Sequence, residues 1–214
     1  VVRWSIDHMP PRLLRPFVLG FLTTALMPSI DLYRQGALLI NRNGERFSDE
    51  TESPSDHMPA QPDGEAFVVM DGELASAFRA WPNFISTAPG IAYAYLDDYR
   101  RNRPDIFFQA NTLAELAGKT GMDPATLEKS VAEYNARDAD DTRRPCLAPP
   151  FVALGPVCSF IMTTDGGLAV NENLQVLDEN DIPITGLYAA GSTGQGGLLL
   201  EGHGHHLGWG FTSG

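Results

Sequence analysis

Apolar residues along this chain fall into short continuous runs, alternating runs and two stretches with helical spacing. In "GALLINRNGERFSDE" the run at residues 37–40 is followed by Asn43-Gly44 and then by Arg46 and Phe47, which predicts a strand entering a hairpin turn. Residues 51–64 are rich in Pro, Ser and Asp and predict a surface loop; "EAFVVMD" after them predicts a short strand. Thr112 with Glu115 forms a capping box ahead of "LAELA", a helix start. Asp123-Pro124 supplies an N-cap and a first-turn proline for "ATLEKSVAEYNAR", which places Leu127, Val131 and Tyr134 on one face. Beyond the linker "DADDTRRPCLAPP" the pattern changes. "GGLAVNENLQVLDENDIPITGLYAAGS" alternates like strands around a turn at Asn180-Asp181, and the remainder is glycine-rich, with no internal repeat.

The longest apolar run, "PFVLGFLTTALMPSI" from Pro16 to Ile30, is too short to span a bilayer and predicts a buried segment or pocket wall. The opening "VVRWSIDHMPP" has neither the layout of a signal peptide nor an initiator methionine, which gives the expectation of a piece of a longer protein. With 214 residues and 43% apolar content, a soluble globular protein with a real core is expected. The 27 acidic against 15 basic residues, a formal charge of −12, repel phosphate backbones and argue for small molecules over nucleic acid or an anionic membrane. Cys146 and Cys158 form neither a disulfide framework nor a ligand set, so a reducing compartment, the cytoplasm, is the expectation.

The order of the pieces "GALLINRNGERFSDE", "DPATLEKSVAEYN", "PPFVALGPV", "TTDGGLAVNENLQVLDENDIPITGLYAAGS" and "GHGHHLGWGFTSG" resembles the C-terminal half of the fumarate reductase/succinate dehydrogenase flavoprotein family, ketosteroid dehydrogenases included. The resemblance implies an α+β chain: a cap (substrate) domain of mixed α/β at 32–163, flanked by 1–31 and 164–214 as parts of a Rossmann-like FAD-binding domain. It implies FAD as cofactor, a small-molecule substrate and an electron donor or acceptor of unknown identity. The family's Gly-x-Gly-x-x-Gly fingerprint, whose glycines let a strand-to-helix turn approach the FAD pyrophosphate, is missing here. The half that grips ADP is therefore expected to lie outside these residues, leaving the chain alone inactive.

In the same family the loop after "GLYAAG" lies along the flavin, which assigns cofactor contacts to Gly191 and Ser192, the latter where relatives often carry an acidic residue. "LEGHGHHLGWG" resembles the helix whose N-terminal amides face the flavin. On that likeness Gly204, His205, His206 and Leu207 supply backbone contacts, and Glu201 and His203, just ahead of them, are the acid/base candidates on the substrate side. The residues alone leave a second reading open. Three of the five histidines stand at 203, 205 and 206, a candidate zinc or nickel site, although intervals of two and one do not put three imidazoles on one helical face. A non-catalytic binding domain is the third alternative.

Several family positions differ. The arginine that clamps a dicarboxylate in fumarate reductases is Glu201 here, their histidine falls within Met162 to Asp165, and their proton-donating cap arginine falls near Ala75. A C4-dicarboxylate facing Glu201 would lack a bidentate partner and meet like charge. The tyrosine of ketosteroid dehydrogenases is Leu200, whereas Gly204 is kept. What remains is dehydrogenation or reduction of a C–C bond next to an electron-withdrawing group in a small, partly apolar substrate. Arg46 and Glu50 match a motif whose acidic residue serves a proton relay in fumarate reductases; a plain salt bridge explains the pair equally well. Tyr93, Tyr95 and Tyr99 offer phenols to a pocket or simply an amphipathic strand.

Overall fold

A computed structural model describes residues 11–24, 28–52, 54–88, 92–137, 142–159, 167–194 and 203–213, with side chains left aside at 11–14, 54–55 and 203–207. The chain is mixed helix and sheet and forms two compact units, residues 1–159 and 160–214.

The first unit is built on an antiparallel sheet of order β1-β2-β6-β5, made of β1 (Leu38–Asn41), β2 (Glu65–Met70), β5 (Phe107–Ala110) and β6 (Phe151–Cys158). β2 and β6 are central, which explains why "AFVVM", residues 66–70, is apolar without a break: both faces are covered. Along β2 the residues alternate between two cores. Ala66, Val68 and Met70 point to one, with Leu32, Leu74, Phe78, Leu96 and Tyr99. Phe67 and Val69 point to the other, with Leu116, Leu127, Val131 and Tyr134.

The second of these cores is closed by the two helices expected from their caps, α6 (Leu113–Thr120) and α7 (Pro124–Asn135). Thr112 accepts from Glu115 N at 3.1 Å while Glu115 accepts from Asn111 N at 3.1 Å; Asp123 accepts from Thr126 N at 2.8 Å. The bonds from Glu115 N and Thr126 N satisfy first-turn amides that a helix leaves unpaired, while that from Asn111 N ties down the residue before the Thr112 N-cap. The first core is covered by α1 (Pro11–Thr24), α2 (Ile30–Arg34), α4 (Gly72–Ala77) and α5 (Leu96–Asn102). The apolar run from Pro16 is thus largely helix, burying Leu19, Leu22 and Thr23 and exposing Phe17 and Phe21. Its last-turn carbonyls at Leu22 and Thr23 accept from the Tyr99 hydroxyl at 3.0 Å and Arg103 at 3.3 Å.

Two expectations are corrected. The loop at 51–64 contains a short helix, α3 (Pro54–His57), and two single 3-10 turns, Met58–Ala60 and Pro62–Gly64, because each proline starts a tight turn instead of breaking one. The tyrosine alternation extends only through β4 (Ala92–Ala94), which pairs with β3 (Ser86–Ala88); Tyr95 is the N-cap of α5 and Tyr99 lies buried within it.

The second unit holds, among the described residues, an antiparallel hairpin, β7 (Gln175–Leu177) and β8 (Pro183–Tyr188), with the preceding Val170 bridged to Val176. The expected turn is present. Asp178 accepts from Asn180 N at 2.8 Å and Ile182 N at 3.0 Å, and Asp181 takes φ 62°. The Ile182 and Asn180 amides hold the Asp178 carboxyl below its ordinary range. A 3-10 turn at Gly191–Gly194 follows, and then α8 (His203–Ser213). Among the described residues no helix is long and apolar enough to cross a membrane.

Candidate functional site

Strand β8 ends against Leu174, whose carbonyl accepts from Ala189 N at 3.0 Å, and the chain then turns at Gly191 with φ 58°. That is the left-handed region, where a side chain is strained and glycine is not. Two further glycines are fixed by packing. A Cβ on Gly167 would stand 2.7 Å from the Thr193 carbonyl oxygen, and one on Gly194 would collide with the Ala189 carbonyl. Leu168 N donates to Thr193 O at 2.7 Å, so the turn at 191–194 lies directly on the 167–168 backbone.

The other side of the turn is held by α8. Trp209 Nε1 donates to the Gly191 carbonyl at 2.9 Å, and Gly191 N donates to Ser213 Oγ at 2.9 Å. Gly191 and Ser192 are therefore brought to one turn. His203, Gly204, His205, His206 and Leu207 occupy the first two turns of the helix that clamps it. Glu201 lies outside the described residues. No acidic residue stands in the first turn of α8, where a helix's amides and positive dipole end favour an electron-rich group. Sequence reasoning missed Trp209 and Ser213; their spacing of four, one helical face, was the available signal.

In the first unit, the Arg46–Glu50 pair is a closed ion pair. Arg46 Nε reaches Glu50 Oε1 at 2.9 Å and Nη2 reaches Oε2 at 2.8 Å, while Glu50 Oε1 also accepts from Leu39 N at 3.0 Å. Glu50 is wholly buried. Its hydrogen bonds raise the Arg46 guanidinium pKa further above its ordinary value. Arg143 donates to Asp49 at 2.9 Å and approaches Glu50 to 3.7 Å. Arg137 lies 3.4 Å over the Tyr134 ring, and Arg46 and Arg143 approach the same ring at 5.4 and 5.9 Å. Of the two sequence readings, the structure displays the salt bridge.

A family model described as FAD binding domain matches residues 8–199, and the chain belongs to that family. FAD is the cofactor this membership assigns. The chain is 29% identical over 171 residues to a probable fumarate reductase of Shewanella frigidimarina, covering 73% of this chain and 26% of that protein. It is 26% identical over 196 residues to 4-oxocyclohexanecarboxylate 2-dehydrogenase of Sinomonas cyclohexanicum, covering 73% of this chain and 31% of that protein. The open conformation of a flavocytochrome c3 fumarate reductase superposes with a TM-score of 0.51 at 28% identity, over 80% of this chain and 29% of that one. The likeness to fumarate reductase flavoproteins drawn from the motifs therefore stands. The chain spans between 26% and 31% of the length of these three relatives.

The residues present fit the flavin end of that cofactor. A left-handed glycine turn without side-chain bulk is bonded to Trp209 and Ser213 of α8, while the phosphate-gripping glycine fingerprint does not occur in the sequence.

Proposed function

We propose that this chain carries the substrate-side cap and the C-terminal part of a Rossmann-like FAD-binding domain from an FAD-dependent oxidoreductase. In this reading residues 32–163 form the cap, and 1–31 and 164–214 belong to the cofactor domain. The reaction is dehydrogenation or reduction of a C–C bond next to an electron-withdrawing group in a small, partly apolar substrate. FAD, when bound, supplies the hydride chemistry. The protein's own residues bind, orient and move a proton. Ser192 contacts the cofactor from the glycine turn, and the amides of Gly204, His205, His206 and Leu207 approach it from α8. Glu201 and His203, just ahead of those amides, hold or deliver the proton at the substrate carbon opposite the hydride.

The observation that carries this reading is the joining of the Gly191 turn to α8 through Trp209 and Ser213, within a chain of the FAD binding domain family. Relatives named for reducing fumarate and for dehydrogenating 4-oxocyclohexanecarboxylate support the bond type. Glu201 in place of a substrate-clamping arginine argues against a C4-dicarboxylate, which would face like charge.

Because the ADP-gripping fingerprint is not in these 214 residues, the chain purified alone is expected to be colourless and inactive. The visible spectrum tests it. A stoichiometric flavin band on the 214-residue chain would overturn the division proposed here.

A further inference from the structure

Both backbone polar atoms of Gly191 are held by one face of α8. The amide is committed to Ser213 Oγ and the carbonyl to the Trp209 indole, each at 2.9 Å. Ser213 also donates to the Trp209 carbonyl at 2.8 Å, which fixes its hydroxyl hydrogen and leaves the oxygen as acceptor for Gly191. The ring of three bonds is closed and aligned. Ser213 is buried at 7% exposure, so water does not compete for its hydroxyl. A Cβ at Gly191 would meet nothing within 4 Å, so packing does not explain the glycine. Its φ of 58° does.

We propose that Trp209 and Ser213 are positioning residues for the cofactor: together they lock Gly191 in its left-handed conformation, and so aim Ser192 and the turn after it at the flavin. The proposal rests on the reading of the 191–194 turn given above. It also changes the role of Gly191 within that reading. The Gly191 N–H is already spent on Ser213 and does not donate to FAD; the glycine serves through its conformation, and the polar contact from this turn falls to Ser192. The clamp further ties the turn to the C-terminal half of the helix whose first turn carries His203 to His206, so the two cofactor-facing segments move as one piece.

The test uses the whole flavoprotein that carries this chain, with FAD affinity and the visible circular dichroism of the bound flavin as readouts. Trp209→Phe removes its bond to the Gly191 carbonyl and Ser213→Ala the bond from the Gly191 amide together with the one to the Trp209 carbonyl; each is expected to weaken FAD binding about 3- to 10-fold, the ratio that goes with losing one neutral hydrogen bond to Gly191. Each should also change the flavin dichroism, which loss of global stability alone would not. Ser213→Thr keeps the hydroxyl and is expected to restore both readouts. Wild-type affinity and dichroism in Ser213→Ala and Trp209→Phe would overturn the clamp while leaving the cofactor assignment intact. Equal loss in Ser213→Thr and Ser213→Ala would overturn it in favour of packing. A wild-type protein without FAD would overturn the assignment and the clamp together.

Discussion

Glu50 accepts both arms of the Arg46 guanidinium at 2.9 and 2.8 Å from a fully buried position, and the same carboxylate receives the Leu39 amide at the start of the sheet. Removing the carboxylate leaves the Leu39 N–H and the Arg46 charge without their acceptor. Glu50→Ala is expected to lower stability by about 3 kcal/mol, the low end for a broken buried pair because Arg46 is partly exposed and can rehydrate. Glu50→Gln keeps an acceptor and should cost less. Urea unfolding measures both; a loss below about 1 kcal/mol in Glu50→Ala would show that the pair is not a lock.

Gly191 and Gly194 make opposite demands. Gly191→Ala has room but must adopt φ 58°, a cost of about 1–2 kcal/mol. Gly194→Ala meets the Ala189 carbonyl and must move backbone, so its cost should be the larger and the turn should shift. Flavin content and unfolding midpoints of the two variants in the whole protein check the order. An effect at Gly194 no larger than that at Gly191 would contradict the collision with the Ala189 carbonyl.

Cys146 is buried, which pushes its thiol up to about 12, with Asp71 adding to the rise; Cys158 is exposed. A native protein at pH 8 should therefore react with an aromatic disulfide reagent at Cys158 and not at Cys146. Tyr99 is likewise raised to about 12 by burial, partly offset by its hydrogen bond to Ser86. Both groups are acids favoured neutral in the fold. Their contribution is complete below the ordinary values of 9.0 and 10.0 and is lost as pH rises through them towards 12. Unfolding free energy should thus fall above about pH 9, and fall less in Tyr99→Phe; a flat profile to pH 11 would contradict the assignment.

On the function proposed above, Glu201→Gln or His203→Ala in the whole protein should slow flavin reduction or reoxidation by substrate about 10²- to 10⁴-fold while FAD content stays near normal. His206→Ala should be mild, since only its backbone amide is given a role. Stopped-flow absorbance separates these outcomes. Wild-type rates in both Glu201→Gln and His203→Ala would move the acid/base group into the cap.

What the sequence disclosed follows from the range of each interaction. The hairpin turn at Asn43-Gly44, the strand "EAFVVM" and the capped helices α6 and α7 are set by neighbours within a few positions, and these were readable. Strand β6 was not, because Gly155 and Pro156 interrupt the pattern that its pairing with β2 and β5 restores. The salt bridge of Arg46 to Glu50 is an i,i+4 contact and was visible as an alternative, whereas Arg143 reaches Asp49 across 94 positions with no local signature. At the candidate site the glycines and the helix start were legible through family resemblance. The Trp209 and Ser213 bonds to Gly191 were not, since a spacing of four puts the two side chains on one helical face without saying which distant backbone they bond.

The division of β2 between two cores puts the length of that strand under tighter constraint than its composition. Exchanging Val68 for another branched apolar residue disturbs one side of the sheet only. Inserting or deleting a single residue reverses every side chain beyond it, delivering Phe67 or Val69 to the helices that pack Val68 and Met70 and the reverse. Variation among natural forms of this segment should therefore accumulate as substitutions, with gaps confined to the turns on either side.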